Sequence, residues 1–208
     1  MNSIGTGPAA TATSTTLGSP GTVTSFKVVR GDKTAKLSWA APTSDGGSAV
    51  TGYVVQRRSY NSTTKLWSAW TSSTVTTTSQ SVTGLTNGTR YEFRLAARTN
   101  VTTGPNTAAV SVTPAGRPGT SKVTVAAKKG KFILSWTSAS NNGSALTAYV
   151  VQYTTSGKKW TTLKTIKPNV RKLTTSVGKK GKTYSFRVAA KNAVGTGAYS
   201  KVIKAKRK

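Results

Sequence analysis

The stretch Thr89-Arg90-Tyr91-Glu92-Phe93-Arg94-Leu95-Ala96-Ala97-Arg98 returns as Thr183-Tyr184-Ser185-Phe186-Arg187-Val188-Ala189-Ala190-Lys191. In both copies Tyr, Phe and Leu or Val occupy every second position, with charged or small polar residues between. That period of two puts the apolar set on one face of a strand and the polar set on the other. Tyr91 lies 93 positions before Tyr184, so the chain is one unit written twice.

The chain of 208 residues accommodates two domains of about 100 residues each. Met1 to Ser19 is rich in Gly, Ala, Ser and Thr and reads as a flexible leader or linker. It has neither a basic region nor an apolar core, so it does not read as a secretory signal. The protein either reaches its destination without one or is a piece of a longer chain. The first unit is expected over residues 20–114 and the second over 115–208. Pro114-Ala115-Gly116-Arg117-Pro118-Gly119 between them reads as a short, moderately stiff linker.

Within each unit, alternating strand-like runs are separated by Gly, Asn, Ser and Thr turns. In the first unit these are Val23–Val29, Ala35–Trp39, Tyr53–Arg58, a strand near Leu66–Trp70, Thr78–Val82, the opening stretch, and Ala108–Val112. The second unit matches with Val123–Val125, Lys131–Trp136, Tyr149–Tyr153, Trp160–Leu163 and Lys201–Lys204. Trp39 pairs with Trp136 at an offset of 97, Tyr53 with Tyr149 at 96, and Trp67 with Trp160 at 93. Offsets that change only in loops suit a repeated sandwich. The expected fold is all-β, two tandem seven-stranded antiparallel immunoglobulin-like β-sandwiches.

These residues also resemble a known family, the fibronectin type III domain. The likeness rests on the early Trp39 and Trp136 and on Tyr53 and Tyr149 opening the third strand. It rests further on the run Gly84-Leu85-Thr86-Asn87-Gly88-Thr89-Arg90-Tyr91 and on Asn192-Ala193-Val194-Gly195-Thr196-Gly197. The loop Pro42-Thr43-Ser44-Asp45-Gly46-Gly47-Ser48 is similar to loops of such domains in bacterial, particularly actinobacterial, extracellular proteins and phage virion proteins. The resemblance implies that Tyr91 and Tyr184 are corner tyrosines with buried rings and hydroxyls bonded to nearby backbone. It also implies an extracellular, cell-surface or virion-surface location. One departure is Gly178, which stands where the first copy has Leu85, with Val177 one place earlier; this leaves the register of the second unit's fifth strand open.

Catalysis is disfavoured by residue type. The chain has no histidine, no cysteine and only three carboxylate side chains, Asp32, Asp45 and Glu92. General acid–base work and metal ligation usually draw on those groups, so neither catalytic residues nor metal or cofactor ligands are expected. No run approaches the roughly 20 apolar residues of a membrane span. Arg30-Gly31-Asp32 reads as turn chemistry between the first two strands, not as an adhesion motif. Asn61, Asn87, Asn100 and Asn142 fit glycosylation acceptors, and their frequency follows from the abundance of Ser and Thr. Trp67, Trp70, Trp160 and Tyr60 belong to a hairpin where they cover the sheet or stack on sugars.

Charge is the anomaly. Lys and Arg number 31 against three acids, a net charge of +28. Residues 20–114 hold 10 basic and 3 acidic side chains, whereas 115–208 hold 21 basic and none acidic. A field of that strength repels itself unless an anionic partner or counter-ions screen it. Lysine predominates, which suits diffuse attraction more than bidentate recognition. In an antiparallel sandwich alternate loops share a pole. Lys128, Lys129, Lys131, Lys158, Lys159, Lys179, Lys180, Lys182, Lys206, Arg207 and Lys208 should therefore converge on one tip as a polyanion-binding site. The expected partner is a polyanionic cell-wall glycan or host cell surface, with other virion or surface proteins as further candidates. A spacer or virion decoration protein is the alternative. Nucleic-acid binding comes third, because aromatics are not interleaved with the basic residues.

Overall fold

The computed structural model describes residues 16–208, so most of the expected leader lies outside the described residues. In the first unit one sheet comprises β1 (Thr24–Arg30), β2 (Ala35–Ala40) and β6 (Ser79–Val82) in the order β1-β2-β6. The other is built on β3 (Val50–Asn61), which pairs with β4 (Leu66–Trp67), β5 (Thr71–Val75) and β7 (Tyr91–Thr99). Strand β8 (Val110–Val112) closes it against β7.

The second unit repeats the plan. Its first sheet has β9 (Val123–Lys128), β10 (Lys131–Trp136) and β13 (Lys172–Thr175) in the order β13-β10-β9. Its second has β12 (Thr161–Ile166), β11 (Leu146–Thr154), β14 (Thr183–Asn192), β15 (Gly195–Thr196) and β16 (Ile203–Lys206). All pairings are antiparallel. This is the two-sandwich architecture that the alternation predicts.

Each unit buries its own apolar stripe between its sheets. Leu37, Trp39, Tyr53, Val55, Leu85, Phe93 and Leu95 form the first core. Phe132, Leu134, Trp136, Tyr149, Val151, Tyr184, Phe186 and Val188 form the second. At about 1.5–3 kcal/mol for each large apolar side chain removed from water, these residues dominate the stability of either sandwich. Tyr91 is only half-buried, whereas Tyr184 is 5% exposed. Both act as corner tyrosines: the Thr86 amide donates to the Tyr91 hydroxyl at 3.0 Å and the Lys179 amide to the Tyr184 hydroxyl at 2.7 Å.

Three sequence expectations are corrected. The strand placed near Leu66–Trp70 is instead a short β4 followed by the edge strand β5, which the sequence reading passed over because Thr71-Ser72-Ser73-Thr74 has no apolar alternation. The last strand is β16 over Ile203–Lys206, two residues beyond Lys201–Lys204. Trp160 is the counterpart of Trp70, not Trp67: Arg57 faces Thr71 just as Tyr153 faces Thr161. The first hairpin is longer, and Trp67 belongs to its extra β4 rung opposite Tyr60.

The open register resolves. Leu134 faces Leu173 in the second unit as Leu37 faces Gln80 in the first, so β13 and β6 correspond at a constant shift. Gly178 therefore occupies the place of Leu85, and Val177 packs on the core in its stead.

Candidate functional site

Where the two units meet, the segment expected as a linker is buried at Pro114, Ala115 and Gly116. The Gly88 amide donates to the Pro114 carbonyl at 2.9 Å, and the Ala115 amide to the Gly31 carbonyl at 3.1 Å. From the other side the Gly116 amide donates to the Asn142 carbonyl at 2.9 Å, and Asn192 Nδ2 to the Gly116 carbonyl at 2.8 Å. Side chains complete the joint. Asn87 Nδ2 donates to Asp32 Oδ1 at 2.6 Å and to Asn142 Oδ1 at 2.9 Å. The Arg30-Gly31-Asp32 turn and two of the glycosylation-type asparagines are thus part of the contact between sandwiches.

A second construction covers the β3–β7 face of the first unit. The guanidiniums of Arg94 and Arg58 pack on the Trp70 ring, at 4.2 Å and 4.6 Å from its centroid. Arg58 and Arg90 pack on Trp67, at 4.7 Å and 4.8 Å from its ring centroid. Glu92 accepts from Arg58 Nε at 2.8 Å and from the Ser111 hydroxyl at 3.2 Å. In the second unit Arg187 sits over Trp160 at 4.1 Å and Tyr199 at 4.0 Å. Each of the half-buried Trp67 and Trp70 rings thus has two guanidiniums packed against it, which suits indoles that cover the sheet. Sequence reasoning counted these arginines as surface charge. Their spacing, Arg58 on one strand and the alternate Arg90, Glu92 and Arg94 on its neighbour, was the available signal.

The third feature is the pole of the second unit opposite the joint. Lys128, Lys129, Lys131 and Lys208 line one groove of about 620 Å³. Lys159 and Lys179 line another of about 440 Å³, with Lys158 and Lys180 as their chain neighbours. Arg207 ties the two grooves together: its Nε donates to the Gly130 carbonyl at 2.9 Å, and its Nη1 to the Gly178 carbonyl. The Arg207 amide donates to the Lys182 carbonyl at 2.9 Å, and Lys206 pairs with Thr183. All eleven expected residues therefore lie at this end. Ten are exposed, while Arg207 is half-buried and engaged with backbone. Among the described residues no group of three His, Cys, Asp or Glu could hold a metal ion, and no helix is long and apolar enough to cross a membrane.

The poles of the two units correspond position by position. The Gly181 amide donates to the Arg207 carbonyl as the Gly88 amide does to that of Pro114, both at 2.9 Å. Lys180 thus replaces Asn87, and Lys129 falls where Asp32 does in the turn before the second strand. The two side chains that seat a neighbour on the first unit are lysines on the second.

Two antiparallel sandwiches, each of a three-stranded and a five-stranded sheet, with corner tyrosines and cores of this make-up define a tandem immunoglobulin-like β protein. The fibronectin type III domain pattern matches residues 19–113 and again 116–206, and the chain belongs to that family. It is 29% identical over 175 residues to M-protein of striated muscle from Gallus gallus, covering 80% of this chain and 12% of that protein. It is 29% identical over 170 residues to myomesin-2 from Homo sapiens, again spanning 12% of the relative. Among solved structures it is similar to the chicken CNTN1 FN1–FN3 domains, at 20% identity and a TM-score of 0.46 over 91% of this chain and 67% of that one.

Proposed function

We propose that the protein is a non-catalytic binding module, a two-unit strut that presents a cationic tip to a polyanionic glycan on a cell surface. The reading places it outside the cell or on a virion. What supports it is the asymmetry between the poles. The joint end of the second unit carries Arg117, Lys167 and Arg171 beside the neutral Asn141, Asn142 and Asn192, whereas the opposite end gathers ten exposed lysines. Solubility alone would be served equally well by scattered charge. Lysine ammoniums on flexible stems suit a repeating anion read by charge density, and the pole shows no exposed stacking series of the kind single-stranded nucleic acid uses.

The test is retention on a phosphate-bearing wall polymer across a salt series. Retention should fall steeply with salt, the log–log slope reflecting several neutralised phosphates by analogy with nucleic acids. Replacing Lys158, Lys159, Lys179 and Lys180 by Gln should weaken it far more than replacing Lys164, Lys167, Lys191 and Lys201. Equal losses would mean that net charge alone acts. Early elution of the unaltered protein from every anionic matrix would favour the spacer reading, for which the joint between the units is the supporting observation.

A further inference from the structure

The corner of the second unit differs from that of the first in one consequential way. In the first unit Leu85 is buried, and the cleft beside the corner tyrosine is about 230 Å³, bordered by Arg57, Arg58, Leu85 and Tyr91. In the second, Gly178 takes the leucine's place against the Tyr184 ring; a Cβ there would lie 2.0 Å from that ring's Cζ. Tyr153 and Thr154 replace the two arginines, and the cleft grows to about 440 Å³. It is bordered by Tyr153, Tyr184, Thr155, Ser156, Lys159 and Lys179.

We propose that this cleft is a subsite for a single phosphorylated sugar or polyol unit of the polyanion. The inference rests on the tip reading above and gives it a seat. The volume lies within the roughly 300–1,000 Å³ of small-molecule sites. Two ammoniums on opposite loops, Lys159 and Lys179, can close on one phosphate from two sides. The Thr155 and Ser156 hydroxyls match sugar hydroxyls, and the half-exposed Tyr153 supplies an apolar wall for a ring face. One partly exposed ring backed by a buried one fits a saccharide unit better than a run of bases, which needs successive open aromatic faces. Beside Tyr91 the corresponding cleft is about 230 Å³, bordered by Leu85 and the two arginines and by no lysine.

The experiment is an amide NMR titration of the full chain with glucose 6-phosphate, set against inorganic phosphate, glucose and oligothymidylate. Glucose 6-phosphate should shift the Ser156, Gly157, Gly178 and Lys179 amides saturably, at least tenfold more tightly than inorganic phosphate. Thr155→Trp, at an exposed position, keeps every charge but blocks the cleft, so it should remove this saturation while leaving retention on dextran sulfate unchanged. Lys159→Gln with Lys179→Gln should remove it as well, and provides the test should Thr155→Trp misfold. Sugar phosphate binding no tighter than phosphate, or shifts spread evenly over the tip lysines, would overturn the subsite. Tighter saturation of the same amides by oligothymidylate would overturn the glycan class. Loss of dextran sulfate retention by the unaltered protein would count against the tip reading alone, because saturation at the cleft is read separately.

Discussion

Asn87 and Asn142, 55 positions apart and in different sandwiches, share a hydrogen bond from Asn87 Nδ2 to Asn142 Oδ1 at 2.9 Å. Asn142 holds a left-handed φ of 50°, a conformation asparagine tolerates better than most residues, and its Nδ2 donates to the Arg117 carbonyl at 2.9 Å. One side chain therefore bonds the partner unit and the connecting segment together. A linker that is itself buried and bonded on both flanks behaves as a joint. It fixes where the cationic tip points relative to the first unit.

Loosening that joint should leave the sandwiches intact. Gly143 has a φ of 84°, and a Cβ there would stand 2.5 Å from both the Gly88 nitrogen and the Pro114 oxygen. Gly143→Ala should therefore push the units apart. In 15N relaxation the unaltered protein should tumble as one body, and the variant should show a separate correlation time for each unit. Asn142→Ala should do the same more mildly. A single tensor in both variants would show that the joint's rigidity lies elsewhere.

The arginine–tryptophan stack makes a prediction about residue type. Arg58 packs on two indoles and is ion-paired to Glu92 at 2.6 Å, with its side chain 29% exposed. Lysine keeps the charge but loses the planar stacking surface. Arg58→Lys should cost about 1–2 kcal/mol in chemical denaturation. Arg57→Lys, one position along and outside the stack, should be near neutral. Equal, small effects would reduce the arginine–tryptophan stack to coincident packing.

The corner tyrosines allow a graded test. Tyr184→Phe removes only the bond from the Lys179 amide and should cost about 1 kcal/mol. Tyr184→Ala also empties a position packed against Phe132 at a centroid distance of 5.7 Å. That should cost about 3–5 kcal/mol. Indistinguishable stabilities for Tyr184→Ala and the parent protein would mean that the tyrosine does not anchor this corner.

How much of this was legible in the sequence follows from the kind of interaction involved. The sandwiches were, because core-facing residues such as Tyr91, Phe93 and Leu95 recur at the strand period of two and the whole pattern is written twice. Strand β5 was not, because an edge strand exposed on both faces has no apolar alternation to show. Trp67 and Trp160 were matched by residue type, but the tryptophan that corresponds in space, Trp70, lies beyond an extra hairpin rung. The convergence of the lysines followed from strand reversal alone. The joint did not, because Asn87-Gly88 and Asn142-Gly143 are ordinary turn dipeptides and their partners are set by how two domains meet. Nor did the enlarged cleft, although Gly178 in the place of Leu85 was its visible trace.

The pH dependence of stability should be confined to the first unit and traceable to one group. Burial would push the Glu92 carboxyl up, but hydrogen bonds from Arg58 and Ser111 and the charges of Arg58 and Arg90 outweigh it and hold the pKa below the ordinary value of 4.5. A carboxyl whose folded pKa is depressed binds fewer protons in the native state than in the unfolded chain. Its contribution to stability is therefore complete above the unfolded value and is lost as pH falls through the lower folded one. Residues 115–208 contain no Asp, Glu or His, the side chain types that ordinarily titrate between about pH 3 and pH 8. In the full chain, denaturant midpoints should stay level from about pH 8 to pH 5 and decline below. Glu92→Gln should lower the plateau and flatten much of that decline, because the neutral amide removes the linked proton together with the ion pair. An equally steep decline in Glu92→Gln would show that Glu92 is not the group behind the acid sensitivity.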